Sequence, residues 1–312
     1  MGNWMTLRGT LGLLLGAVLL LVLPAVAVPV GAPRVEEAQD VSVQGFTMRW
    51  GSVPGARSYR VEVARNRQFT SFLPGQRDRS VGLSRSHRVG GVRPGEEYWY
   101  RVRAVGADGM GEWSAARSVR LPLAAPVPLD ARLLGPTSFE ARWRPGSGAA
   151  RHEVQVAEDH QFRRAARGLR QSRTNSPTSR VIEEAEAGSR LWWRVRSVGR
   201  EGPGAWSAPQ EVHLPPPAPR LLPPTLSTPR TVIARWERAP GATSYRVFVA
   251  RDEAMRELLH AWRGRATGSG TAVTVPLLEP GTTYFLAVQG AGRGGAGPVS
   301  APMAITTAPG AQ

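Results

Sequence analysis

The chain has 312 residues and carries 40 basic against 24 acidic side chains, a formal net charge of +16. All the basic side chains are arginines, since the sequence contains no lysine; part of the charge therefore reflects composition, although the resulting field still favours anionic partners. Because cysteine is absent, the sequence excludes a disulfide framework, a thiol nucleophile and a zinc site built on cysteines.

The N-terminal 27 residues have the layout of a secretory signal peptide. Arg8 precedes an apolar run over residues 11–23, and Pro24 and three small residues follow it. We therefore expect residues 1–27 to be removed during export. The alternative is an uncleaved membrane anchor over residues 11–30, since about 20 apolar residues span a bilayer. Either way, the remaining chain is expected in the periplasm, on the cell surface or outside the cell.

A period of 93 residues organises the rest of the sequence. Trp50, Trp143 and Trp236 follow one another at this interval, and an Ala-Pro pair opens each corresponding unit. A fixed period is the signature of a tandem array. The sequence therefore predicts three repeats with one of these tryptophans in each core, joined by short proline-bearing linkers that favour a semi-rigid rod. The predicted repeats cover residues 32–122, 125–215 and 218–309.

Short strands follow one another within each repeat. In the first, residues 46–50 and 59–64 alternate apolar and polar side chains, as half-buried strands do. Residues 97–106 alternate in the same way, with Tyr98 and Tyr100 on one face. Several such strands punctuated by turns predict an all-β fold of three antiparallel β-sandwiches. The strongest local exception is residues 252–262, where apolar residues recur at helical spacing behind Asp252 and predict a short helical turn.

These residues carry a family resemblance. The early tryptophan, the Pro-Gly-x-x-Tyr corner at residues 94–98 and 280–284, the RVRAVG strand and the following G-x-W-S together resemble fibronectin type III domains over about residues 32–308. The resemblance implies an immunoglobulin-like sandwich. The longer pattern W-x-x-V-P-G-A-x-x-Y-R-V-E-V-A-R-N-x-x-F, which starts at Trp50, is similar to bacterial modules that accompany FecR-like envelope proteins.

Repeats 1 and 2 share a set of tryptophans and arginines that repeat 3 lacks. Alternation places these side chains on the outward face of one strand and its hairpin partner, where guanidinium planes can stack on indole rings. The arrangement resembles the Trp-Arg ladder of cytokine-receptor modules. It is interpreted either as a structural ladder that stiffens the sheet or as a binding face for anionic sugars or acidic peptides. The candidate face comprises Trp99, Arg101, Arg103 and Trp113 in repeat 1 and Trp192, Arg194, Arg196 and Trp206 in repeat 2. Repeat 3 has Phe285, Ala287, Gln289 and Val299 at these positions.

A second candidate is the densest basic segment of the chain. The simplest interpretation is a solvated loop, and the alternative is a site for an anionic envelope polymer, a lipopolysaccharide phosphate or an acidic peptide. Nucleic-acid binding is not expected, because the segment lacks a nucleic-acid fold motif and the protein is expected to be exported. This cluster comprises Arg163, Arg164, Arg167, Arg170 and Arg173.

Other motifs point away from catalysis. Residues 292–297 match G-x-G-x-x-G but lie at a predicted bend between strands, without the helix that a dinucleotide site needs. The five histidines are scattered without metal-ligand spacing, and the acidic cluster Glu183, Glu184 and Glu186 is expected to be a solvated surface. We therefore predict no catalytic residue, cofactor or metal.

Repeat 2 departs from its neighbours at two positions. His152 replaces the strand tyrosine seen as Tyr59 and Tyr245, and Leu191 replaces the corner tyrosine seen in the other repeats. The hydrogen bond of the tyrosine corner is therefore lost there. We expect repeat 2 to be the least stable of the three.

The sequence as a whole predicts a non-enzymatic, exported rod that presents loops or sheet faces to a protein or an anionic envelope polysaccharide. Contact with a membrane is expected only through the N-terminal segment if it is not cleaved. The alternative function is a membrane-anchored envelope sensor or assembly component.

Overall fold

The computed structural model describes residues 30–166, 172–200 and 202–310. Within these ranges all 24 regular elements are β-strands. The same ranges contain no helix long and apolar enough to cross a membrane. The predicted signal peptide over residues 1–27 lies outside the described residues, and so does the alternative anchor apart from Val30.

The first repeat forms two antiparallel sheets. In one sheet the strand order is β1-β2-β5; in the other it is β4-β3-β6-β7, with β8 also pairing along β6. The strands are β1 (Gln39–Ser42), β2 (Gly45–Arg49), β3 (Ser58–Ala64), β4 (Arg79–Ser80), β5 (Ser86–Val89), β6 (Glu97–Gly106), β7 (Gly109–Met110) and β8 (Arg117–Arg120).

The second repeat has the same topology. Its sheets have the orders β13-β10-β9 and β12-β11-β14-β15, with β16 pairing along β14. The strands are β9 (Val127–Gly135), β10 (Ser138–Arg144), β11 (Arg151–Ala157), β12 (Ser172–Thr174), β13 (Ser179–Ile182), β14 (Arg190–Gly199), β15 (Gly202–Trp206) and β16 (Gln210–His213).

The third repeat again forms this pair of sheets. The orders are β17-β18-β21 and β20-β19-β22-β23, with β24 pairing along β22. The strands are β17 (Leu221–Thr228), β18 (Thr231–Trp236), β19 (Ala242–Ala250), β20 (Leu258–Gly268), β21 (Ala272–Val275), β22 (Thr283–Gly292), β23 (Gly295–Val299) and β24 (Met303–Thr306).

Each repeat encloses its own apolar core between its two sheets. Three separate clusters of buried side chains correspond to the three repeats, and the tryptophans of the 93-residue period lie one in each. Trp50, Trp143 and Trp236 are all at most 2% exposed, which confirms their prediction as core residues. Since none of these three clusters of described residues spans two repeats, each sandwich is stabilised by its own packing.

Repeat 2 lacks the corner hydrogen bond that each of its neighbours makes with a buried tyrosine. Tyr98 Oη accepts a hydrogen bond from the Arg93 backbone N–H at 2.8 Å, and Tyr284 Oη accepts one from Glu279 at 3.0 Å. Leu191 occupies the corresponding position of repeat 2, where its side chain is buried and offers no oxygen. The predicted loss of the corner bond in this repeat is therefore present in the structure.

The predicted helical turn at residues 252–262 is wrong. The Asp252 carboxylate accepts hydrogen bonds from the backbone N–H groups of Arg256 and Glu257, which closes a tight turn, and Met255 has a positive φ of 57°. A left-handed residue ends any helical path after a single turn. The chain then enters β20, where Trp262 is buried in the core of the third sandwich.

The two junctions between repeats use the same close backbone approach. At the first junction, a side chain at Gly95 would press on the Leu123 side chain and one at Gly148 on the Pro94 carbonyl oxygen. Across the second junction, a side chain at Gly188 or Gly241 would press on the facing backbone. All four residues have positive φ values, 77° and 81° at the first junction and 75° and 72° at the second. Glycine is needed here both for the backbone conformation and for the space.

Candidate functional site

Strand β6 and the segment that follows it build the candidate face of repeat 1. Successive residues of β6 alternate between buried and half-buried, so that Arg101 and Arg103 both point away from the core. Trp113 lies over both arginines: the guanidinium carbon of Arg101 is 4.6 Å from the Trp113 ring centroid and that of Arg103 is 4.4 Å from it. The stacking that the sequence predicts is therefore present.

The stack continues onto a phenylalanine that the sequence analysis missed. The guanidinium carbon of Arg101 lies 4.1 Å from the ring centroid of Phe69, so that this cation is in contact with two aromatic rings. We call the set Phe69, Arg101, Trp113 and Arg103 ladder 1.

Repeat 2 contains the equivalent set. Arg194 lies 4.1 Å from the ring centroid of Phe162 and 4.6 Å from that of Trp206, and Arg196 lies 4.3 Å from Trp206. We call Phe162, Arg194, Trp206 and Arg196 ladder 2. The two ladders agree in every stacking distance to within about 0.1 Å, which shows that the 93-residue period extends to side-chain geometry on the outer face.

The two phenylalanines are placed by a turn with an unusual backbone. Phe69 and Phe162 have positive φ values of 54° and 59°, and the side chains of Asn66 and Asp159 accept backbone hydrogen bonds that close the two turns. Such side-chain to backbone bonds hold a turn that would otherwise be strained. Phe69 and Phe162 are 93 residues apart, and this spacing is the signal that could have identified them.

Trp99 and Trp192 lie on the same strand faces but outside the two ladders. Trp99 has Arg67 over its ring at 5.6 Å, and Trp192 has Arg190 at 4.5 Å. The structure therefore brings together three of the four predicted residues in each repeat, and places the fourth in a separate cation–π pair.

Repeat 3 has lost this arrangement as a set. Ala287 is fully buried, and the Gln289 side chain donates a hydrogen bond to the Gly297 carbonyl oxygen at 2.8 Å. Val299 pairs with Gln289 across the strands and is 45% exposed. These short side chains supply neither the cations nor the rings of a ladder.

The cations of ladder 1 are paired with carboxylates. Arg101 donates to Glu62 Oε2 from Nε at 2.8 Å and from Nη2 at 2.7 Å, and the Glu62 side chain is 8% exposed. Arg103 pairs with Asp78, which also lies 3.3 Å from Arg60. Ladder 1 therefore has a carboxylate partner for each of its two arginines.

The pairing in ladder 2 is different. Arg196 donates to Glu153, whose other carboxylate oxygen accepts from Arg173 at 3.0 Å. Arg194, in contrast, donates from Nε and Nη2 to the amide oxygen of Gln155, at 2.9 and 2.7 Å. Burial, with a smaller contribution from the nearby Arg196 charge, lowers the pKa of Arg194. Gln155 lies 93 residues after Glu62, so a neutral amide occupies the place of a carboxylate.

The structure describes three of the five arginines of the predicted basic cluster. Arg163 and Arg164 are exposed in the turn that Asp159 closes, and Arg173 lies on β12, paired with Glu153 beside ladder 2. Arg167 and Arg170 lie outside the described residues.

The remaining sequence candidates have structural explanations. Glu183, Glu184 and Glu186 are exposed, as expected. Residues 292–297 form the end of β22, a turn and the start of β23, so this segment is a bend between strands. Among the described residues, no group of three or more potential ligands is placed to hold a metal ion.

Two grooves lie at the ends of repeat 1. One, of about 660 Å³, is formed by the loops around Val30, Pro54 and Asp108. The other, of about 790 Å³, lies at the junction with repeat 2 and is lined by glycines, alanines, prolines, leucines and two arginines. Neither lining contains a pair of carboxylates or a nucleophile beside a histidine, which are the usual elements of acid–base or covalent catalysis.

Comparisons with known proteins agree with this architecture in part of the chain. The family model "Fibronectin type III domain" matches residues 31–120. The human protein "Fibronectin type-III domain-containing protein 3A" is 25% identical over 246 residues, which are 73% of this chain but 19% of that protein. This chain therefore spans about a fifth of the length of that curated relative.

Among solved structures, the crystal structure of the chicken CNTN1 FN1-FN3 domains covers 90% of this chain and 98% of its own, at 18% identity and a TM-score of 0.31. The family match and the paired antiparallel sheets together support a fibronectin type III domain over residues 31–120.

Proposed function

We propose that this chain is an exported, non-enzymatic binding and scaffold protein of a bacterial cell envelope, which presents sheet faces to a protein partner or an anionic polysaccharide. The observation that carries the proposal is the pair of ladders on the outer faces of repeats 1 and 2. Each holds one arginine against two aromatic rings and a second arginine against one of them, on a sheet whose opposite face packs into a core. Rigid cationic and aromatic groups of this kind suit binding.

The distribution of side-chain chemistry supports binding over catalysis. The two grooves of about 660 and 790 Å³ are lined mainly by glycines, alanines, prolines and other apolar residues. A smaller groove of about 400 Å³ is lined in part by Glu36 and Glu37, which are both exposed. The arginines of the ladders stack on aromatic rings and donate hydrogen bonds to neighbouring carboxylate or amide oxygens on the sheet surface. A catalytic pair acts in a cleft that excludes water, and a flat sheet face offers no such enclosure.

The proposed location rests on the N-terminal sequence. An arginine, an apolar run and small residues before Val28 are the three parts of a secretory leader. Sequencing the N-terminus of the protein from fractionated cells tests this part. A start at Val28 in the periplasm or medium is expected; an intact Met1 in the membrane fraction supports the anchored alternative, and an unprocessed chain in the cytoplasm contradicts export.

The proposed binding surface is tested by photo-crosslinking in intact cells. A photoreactive residue replaces Trp99 or Trp192, which are half-buried on the ladder faces, and in a control it replaces Arg142 on the other sheet of repeat 2. We expect crosslinks to a defined envelope component from the ladder positions but not from residue 142. Equal crosslinking from all three positions, or none from any, would contradict the assignment of these faces.

A further inference from the structure

The two ladders differ in one charge, and this difference carries an inference beyond a general binding face. Glu62 of β3 supplies a carboxylate to Arg101, whereas Gln155 of β11 supplies only an amide oxygen to Arg194. The cross-strand pairing is the same, since Glu62 lies opposite Arg101 and Gln155 lies opposite Arg194. The change therefore removes a negative charge without altering the scaffold around it.

No carboxylate among the described residues pairs with Arg194. Glu153, on the same strand, is engaged by both Arg196 and Arg173. Arg194 is thus a partly buried cation whose hydrogen-bond partner is neutral and whose neighbour in the stack is another cation. The burial and like charge that lower the pKa of Arg194 would both be offset by an anion at this position.

The free donors of the site face solvent. Arg194 uses Nε and Nη2 on Gln155, which leaves Nη1 without a hydrogen-bond partner among the described residues. Nη1 is not enclosed by protein atoms. The same holds for the Gln155 amide nitrogen, which has no hydrogen-bond partner among the described residues. Two donors on neighbouring groups match the two oxygens of one carboxylate.

We propose that ladder 2 is a binding site for an acidic side chain of a partner protein, whose carboxylate takes the place beside Arg194 that Glu62 takes beside Arg101. The proposal deepens the proposed function by naming the repeat and the ligand chemistry. A peptide carboxylate is favoured over a sugar because guanidinium groups already lie over the rings of Phe162 and Trp206. A sugar ring needs an open aromatic face, whereas a carboxylate needs the edge of the guanidinium.

The test uses the chain from Val28 onward and the indole N–H resonances of its nine tryptophans, with Trp206 and Trp113 assigned by Trp→Phe variants. The probe is a glycine-flanked peptide with three consecutive glutamates, and the control peptide has glutamines in their place. We expect the acidic peptide to shift Trp206 progressively while Trp113 stays unchanged, and the glutamine peptide to shift neither.

Matched variants separate the site from general charge effects. Gln155→Glu gives Arg194 the carboxylate partner that Glu62 gives Arg101. We expect this variant to raise the dissociation constant of the acidic peptide about tenfold or more, because one charge-assisted hydrogen bond to the peptide is lost. Gln44→Glu adds the same charge at an exposed turn of repeat 1 and should leave binding unchanged. Glu62→Gln frees Arg101 and should make Trp113 respond to the peptide.

Several results would overturn the inference: no shift of Trp206 at millimolar peptide, an equal response to the glutamine peptide, or unchanged binding in a folded Gln155→Glu variant. A uronate oligosaccharide that shifts Trp206 where the peptide does not would also overturn it. Crosslinking from position 192 in cells distinguishes a failure of the carboxylate site from a failure of the proposed binding function. If those crosslinks persist while the peptide fails, only the carboxylate site is rejected; if both fail, the binding function itself is rejected.

Discussion

His152 shows how one residue can set the stability of a whole repeat. It is 3% exposed and packs against Trp143, with ring centroids 5.4 Å apart. The tyrosines at this position in the other repeats also contact the core tryptophan, but their hydroxyl groups accept hydrogen bonds from the backbone N–H groups of Val53 and Ala239. Repeat 2 therefore keeps the ring contact and loses the bond to the neighbouring loop.

Burial lowers the pKa of His152 below its ordinary value of 6.5. The unfolded chain therefore binds a proton at this residue at a higher pH than the folded chain does. Above about pH 6.5, protonation of His152 does not reduce the stability of repeat 2. The stability falls as the pH drops through and below this value, because protonation of His152 then favours the unfolded state.

We predict that His152→Tyr stabilises repeat 2 by about 1 kcal/mol, the net contribution of a typical hydrogen bond, and removes this part of its acid sensitivity. Hydrogen exchange of peptides from each repeat, measured at pH 7.5 and pH 5.5, checks both effects in the whole chain. Repeats 1 and 3 are the internal controls. Lower protection of repeat 2 in the variant, or an unchanged loss of protection at pH 5.5, would be evidence against this role of His152.

The ladders also make a prediction for single arginines. Arg101→Ala removes contacts with two aromatic rings and leaves the buried Glu62 carboxylate without its partner, so we expect repeat 1 to lose about 1–3 kcal/mol. Arg117→Ala is the control, since Arg117 is more exposed and pairs with Glu37 at 3.8 Å, a contact worth about 0–1 kcal/mol. Chemical denaturation followed by repeat-resolved hydrogen exchange measures the difference. Equal effects of the two variants would show that the ladder adds no stability.

At the scale of elements, the sequence predicted what depends on local alternation and missed what depends on the path of a turn. Burial alternates along β6 over residues 97–104 and along β14 over residues 190–197, as the sequence predicts, and the pattern ends at the last two residues of each strand. The segment after Asp252 has helical spacing, yet the left-handed conformation of Met255 sends it into β20. A period of side chains alone cannot show this reversal, because it results from backbone conformation and pairing with β19.

The candidate site was predictable to a similar degree. The arginines and tryptophans could be assigned to one face because residues two apart on a strand share a face. The contribution of Phe69 and Phe162 depends on a turn that returns the chain to the sheet. The contrast between Glu62 and Gln155 required the cross-strand register of β3 with β6 and of β11 with β14, which defines the residue opposite each arginine.

At the scale of the whole molecule, the repeat junctions decide how far the three sandwiches move independently. Gly188 has a φ of 75°, and a methyl group there would overlap the Pro240 carbonyl oxygen across the junction of repeats 2 and 3. Gly281, at the same position of repeat 3, has a φ of 61° but its nearest neighbour would be Pro309 Cα at 4.0 Å. The two glycines therefore share the conformational constraint but differ in their contact.

We predict that Gly188→Ala loosens the second junction, whereas Gly281→Ala strains its own turn without affecting the junction. The chain has no cysteine, so single cysteines introduced for spin labels at the exposed Glu183 and Ser269 report the distance between repeats 2 and 3. Gly188→Ala should broaden or shift this distance distribution, and Gly281→Ala should not. An identical distribution in both variants would argue against the glycine contact as the constraint.

Small-angle X-ray scattering of residues 28–312 tests most directly the claim that three separately cored sandwiches form an extended, semi-rigid array. Strands of about nine residues that rise about 3.3 Å each give three sandwiches end to end a length of roughly 90–100 Å and a radius of gyration of about 29 Å. A compact globule of this chain length has a radius of gyration of about 19 Å. An extended array gives the larger value, and a value near that of the globule would show that the three sandwiches are packed together.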